Sequence, residues 1–251
     1  MSRGSAVEEF GAAAAWAIAQ GYALSVPFVL GVHELWAAVA LVVAVVGFQF
    51  LLYDAGAPNA AVQLAAFLSQ GLGKEEEEAQ GTGTRSRKKK LEEKKEAERI
   101  RLGTAVRTIS STMAGSVVGS VFARDTLAWL GFSAEGMKPP VTHFPDLGDN
   151  FVLGVEVATS LAICALSVIV FPKRPVVGLA GLFLVPVPAA LVGVPGIDPA
   201  WSLGRAFAAK DFQNNSLYLV GPFAGALAFG LACHLGSKAK SAAGAKKRKT
   251  N

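Results

Sequence analysis

The chain has 251 residues, 52% of them hydrophobic and 17% charged, with a net charge of +5. Its mean hydropathy is +0.41, too apolar for an ordinary soluble domain with so few charges. Cys164 and Cys233 lack the partner spacing of zinc or redox sites and read as small packing residues.

A spanning helix needs about 20 mostly apolar residues. Six segments qualify: 10–30, 35–53, 102–122, 151–171, 176–194 and 217–235. The first is not a signal peptide, because Glu8 and Glu9 stand where a basic n-region belongs and no clear small-residue cleavage site follows. The connections at 31–34 and 172–175 read as tight turns between antiparallel helices. Between the second and third spans lies "GAPNAAVQLAAF" at 56–67, a turn opening a short apolar helix. A charged insert, "KEEEEAQGTGTRSRKKKLEEKKEAERIR", follows. Its alternating acidic and basic runs read as a solvated helix extending the third span. Within that span, Arg107 needs a partner or must snorkel. Between the fifth and sixth spans lies "GIDPAWSLGRAF" at 196–207, another helix too short to cross. Asp198 is a good N-cap, and Pro199 sits at the first helical position, where its missing N–H costs nothing.

Sorting the loops alternately places the N-terminus, the insert, Lys173, Arg174 and the basic tail on one side. The other side keeps only Arg124, Lys138, Arg205 and Lys210. The basic excess marks the cytoplasmic side, so both termini are expected there. The tail ends "KKRKTN". Lys247 and Lys249 are similar to a dilysine signal for retrieval to the endoplasmic reticulum; the competing reading is a basic tail drawn to anionic lipid.

The chain reads as built twice. An acid opens a span in each half: Glu9 in "EEFGAAAAWAIA" and Glu156 in "GVEVATSLAICAL". Each half then has a short helix, and each closes on a span with small residues four apart, Gly115 and Gly119 or Gly221 and Gly225, which let helices approach closely in lipid. Three spans per half make the repeat inverted, with its working site expected near the midplane. Two short helices entering from opposite sides would meet N-terminus to N-terminus, both dipoles pointing positive charge at the junction. A cation or proton there meets a repelling field.

This arrangement resembles the aquaporins, or major intrinsic proteins, in which each half carries an Asn-Pro-Ala box on a half-helix. The resemblance covers about residues 7–236 and rests on the order, spacing and duplication of the motifs, with "SLYLVGPFAGALAFG" similar to the family's sixth helix. It implies an all-α membrane protein with six transmembrane helices and two re-entrant half-helices. The first repeat would be 7–123 with its insert at 72–101, the second 150–236, and 237–251 a basic cytoplasmic tail. Three departures occur. The first box is Asn59-Ala60-Ala61, the second is Asp198-Pro199-Ala200, and Trp201 stands where an Arg usually forms the narrow filter. Such drift is similar to the superaquaporins and the small basic intrinsic proteins, which reside largely in internal membranes.

By the same resemblance the remaining filter positions fall at Val39, Pro186 and Pro195, all apolar. Asn59 keeps the capping and donating roles of an orthodox box. Asp198, if ionised, caps but cannot donate to a solute oxygen, and its charge would weaken the cation barrier; alternatively it is a plain N-cap off the pore axis. Trp201 either narrows the filter or swings aside to pack at the interface. Glu9 and Glu156 are expected to orient the backbone of the re-entrant segments rather than carry protons. His33, His143 and His234 are scattered singly, so no metal site is expected. There is no nucleophile–base pair or phosphate loop, so neither an enzyme nor a cofactor is expected. Two functions remain: passive passage of water or a small neutral solute, or a non-conducting structural subunit of a membrane complex. The expected partners are the lipid bilayer and further copies in a homotetramer, not nucleic acid.

Overall fold

A computed structural model of the chain describes residues 6–30, 59–72, 84–132, 148–185 and 198–249. Its regular elements are helices, with no strand among the described residues. In chain order they are α1 (Ala6–Leu30), α2 (Ala60–Leu72), α3 (Thr84–Trp129), α4 (Gly148–Ala165), α5 (Pro175–Leu184), α6 (Pro199–Ala209) and α7 (Asn215–Lys249). A π-helical turn, Leu166–Val170, continues α4. Among the described residues, two stretches, Gly148–Val170 and Asn215–Ser237, are long and apolar enough to cross a membrane.

Large side chains face outward on α7 (Val220, Leu227, Leu231 and Leu235), while the buried positions are dominated by Ala, Gly and Ser. Where lipid tails are as apolar as the core, close backbone packing between small residues drives helix association. The two halves show the same device. In the first, α1 packs on α3, and a Cβ at Gly119 would strike the Ala14 carbonyl oxygen. In the second, α4 packs on α7, and a Cβ at Gly225 would stand 2.6 Å from the Val157 carbonyl oxygen.

The short helices are exchanged between the halves. α2 packs chiefly against α7, and α6 chiefly against α3. The largest buried apolar cluster reflects this, joining Ala61, Val62 and Ala65 of α2 to Ile163 and Cys164 of α4 and Ala226 and Phe229 of α7. Cys164 packs there, its thiol 3.9 Å from the Ala61 carbonyl. Cys233 packs against the same cluster and is a free thiol.

As the alternating charges of the insert suggested, the third span is part of a longer helix: α3 runs unbroken from Thr84 to Trp129. Other elements differ in extent. The last span continues through the basic tail to Lys249. The turn after the fourth span lies at Phe171–Lys173, and Pro175 opens α5 at the position where its missing N–H is harmless. Arg107 is exposed on α3. The second span at 35–53, the turn at 31–34 and residues 186–194 of the fifth span lie outside the described residues.

Candidate functional site

Both short helices begin with a side-chain cap. Asn59 Oδ1 accepts from the backbone N–H of Ala61 at 2.9 Å and of Val62 at 3.1 Å. Asp198 has extended backbone (φ −118°, ψ 107°), and its Oδ1 accepts from the Ala200 N–H at 3.0 Å. Each cap satisfies donors that a helix start leaves without a partner. The two caps lie together. The N–H groups of Trp201 and of Ala60, the first residue of the other short helix, also face the Asp198 carboxyl. Its Oδ2 is buried and completes no hydrogen bond among the described residues.

The two helices are held at separate points along α3. Arg101 donates through Nη2 to the Phe67 carbonyl at 3.5 Å, and its guanidinium lies 5.7 Å from the Phe67 ring centre. Arg124 donates through Nη1 to the Ala208 carbonyl at 2.7 Å. Lys210, at φ 55°, closes α6 in a left-handed C-cap. Arg124 sets positive charge against the negative end of the α6 dipole, whereas Arg101 meets α2 at Phe67, five residues before its last residue. At about 1.5 Å rise per residue they stand about 35 Å apart, close to the ~30 Å thickness of bilayer hydrocarbon. The N-terminal ends of α2 and α6 thus converge, while the two helices meet α3 at well-separated points, Arg101 and Arg124.

Buried polar groups brace each short helix. In the first half Gln63 of α2 donates to Glu9 Oε2 at 3.1 Å and to Thr112 Oγ1 at 2.8 Å. Glu9 thus meets α2 through a side chain, where the sequence suggested backbone. In the second half Glu156 is 1% exposed beside the close approach of Gly221. Tyr218, equally buried, lies in the electrostatic field of both Glu156 and Arg205. Thr112, Ser116 and Ser120 form a fully buried polar stripe on α3. A Cβ at Gly204 of α6 would stand 2.5 Å from Ser120 Oγ, so the stripe faces that helix.

Trp201 is 6% exposed, and its indole Nε1 is buried with no hydrogen-bond partner among the described residues. The Arg205 guanidinium lies over its ring, 4.8 Å from the centroid. The structure therefore brings together Asn59, Ala60, Ala61, Asp198, Pro199, Ala200 and Trp201, all but Asn59 buried. Val39, Pro186 and Pro195 lie outside the described residues, as do His33 and His143. No cluster of three potential metal ligands occurs among the described residues. The sequence reading missed Gln63, Thr112, Tyr218 and the roles of Arg101, Arg124 and Arg205. A usable signal existed for Gln63 and Arg205: each is a strongly polar residue inside a short, otherwise apolar helix.

No model of a known protein family matches the chain, and no curated protein is a significant match.

Proposed function

We propose that the chain is an aquaporin-like channel for passive passage of water or a small neutral solute. In this reading six helices cross the membrane, both termini are cytoplasmic, and α2 and α6 are re-entrant half-helices of an inverted repeat. The membrane is the endoplasmic reticulum or another internal membrane, and the assembly is a homotetramer. One observation carries the proposal: the N-terminal ends of α2 and α6 meet at Asp198 and Ala60, while Arg101 and Arg124 hold the two helices at well-separated points along α3. A helix that stops inside a bilayer needs protein or a water-filled cavity around its free N–H groups. Two positive dipole ends at one point favour neutral polar solutes over cations. The Asp198 carboxylate offsets part of that field, and its Oδ2 supplies an acceptor there.

The second reading is a non-conducting structural subunit, and the burial of Trp201 under Arg205 favours it. Stopped-flow light scattering on liposomes with matched protein content separates the two. With the indole in the filter, the wild type conducts water barely above lipid, and Trp201→Ala raises the flux by opening the narrowest ring. Trp201→Arg restores hydrogen-bonding capacity there, provided acceptors hold the buried cation. Asp198→Asn adds a donor and strengthens the cation barrier, so water flux rises without proton leak. A wild type that conducts briskly, with no response to Trp201→Ala, takes Trp201 out of the pore and removes the support for a structural role. If no variant conducts, including Trp201→Ala combined with Asp198→Asn, the channel reading is abandoned.

A further inference from the structure

We propose that Arg205 is a positioning residue that holds the Trp201 indole in its buried place beside the second box. Trp201 and Arg205 are four residues apart on α6, a spacing that puts both on one helix face. The guanidinium stacks 4.8 Å from the indole centroid, and both residues are nearly inaccessible, at 6% and 8% exposure. A cation over an indole is attracted by the ring's negative face, and more strongly where water is excluded.

The internal repeat provides a comparison within the same molecule. Counting from Asn59 as from Asp198, Val62 occupies the place of Trp201 and Ala66 the place of Arg205. Both are buried, at 4% and 6%. A short helix in this fold therefore packs with two apolar residues at these positions, and packing alone does not call for an arginine. Burying one is costly unless opposite charge and hydrogen-bonding groups compensate it. In the second half Tyr218, itself buried, lies in the electrostatic field of Arg205. Among the described residues of the first half, Glu9 meets the neutral Gln63 and Ala66 stands where Arg205 does. Trp201 and Arg205 thus form a buried stacked pair beside the second box.

The consequence for flux rests on the channel reading; the positioning role does not. The test is acrylamide quenching of Trp201 fluorescence in liposomes, with Trp16, Trp36 and Trp129 each replaced by Phe. Loss of a desolvated cation–π contact shifts the equilibrium between stacked and released indole on the order of tenfold. Arg205→Met is therefore expected to raise the quenching constant severalfold. Arg205→Lys keeps a cation but loses the planar guanidinium that stacks on the indole, and is expected to quench between the parent and Arg205→Met. Arg205→Met combined with Glu156→Gln also removes the second buried charge near Tyr218 and should quench like the single variant. Equal quenching in the parent, Arg205→Met and the double variant overturns the proposal. So does an increase in Arg205→Lys as large as in Arg205→Met. Water flux is measured on the same liposomes. Release of the indole with higher flux supports both the positioning role and the channel. Release without flux supports the positioning role and counts against the channel.

Discussion

Asn59 and Asp198 do the same local work with different chemistry. Each side-chain oxygen accepts N–H groups at the start of its helix, but an ionised Asp cannot return a donor to the centre of the site. Stability and transport should therefore separate at Asp198. Asn and Asp are comparable caps, so Asp198→Asn should leave the thermal unfolding midpoint in detergent nearly unchanged. Asp198→Ala should cost about 1 kcal/mol. Equal losses in both variants would mean that the charge, rather than the cap, stabilises the helix. These caps were legible in the sequence because a cap is local: an Asn or Asp, then a helix-starting residue, then an apolar run. The meeting of Gln63 with Glu9 and Thr112, 54 and 49 residues away, was not legible, because such contacts depend on how distant helices pack.

At the scale of elements, the glycine pairs and α3 decide where everything else can stand. Gly119→Val is expected to force α1 away from α3, since the added carbon meets the Ala14 carbonyl rather than a flexible side chain. The cost should be about 1–3 kcal/mol or more, as for other overpacking. Gly11→Val is the control, because nothing lies within 4 Å of the added Cβ there. Differential scanning of the two variants in detergent should show a marked fall for the first and little change for the second. The close approaches were legible as Gly-x-x-x-Gly in each half, whereas the helix each would touch was not. The division of labour along α3 was hidden for another reason. Arg101 and Arg124 look like ordinary residues at the edges of a span, and only packing reveals that each donates to a backbone carbonyl of a different short helix.

For the molecule as a whole, the exchange of short helices means that neither half completes its own core. The apolar cluster around Ala61 and Val62 is closed by Ile163, Cys164, Ala226 and Phe229, all from the second half. Splitting the chain between 133 and 147 should give fragments that accumulate poorly alone and associate when expressed together. Co-purification of one fragment through a tag on the other checks this, and two separately stable fragments would contradict it. The same exchange sets an order of events in the cell. α2 leaves the ribosome long before the helix that covers it. At ~5–20 residues per second, synthesis from Leu72 to Asn215 takes roughly 10–30 s. For that interval the side of α2 that α7 covers stays exposed, while Gln63 can already meet Glu9 and Thr112 of the first half. On the channel reading, the newly made first half is therefore a natural client for the insertion machinery that shelters incomplete membrane proteins, and translation of α7 is the step that releases it.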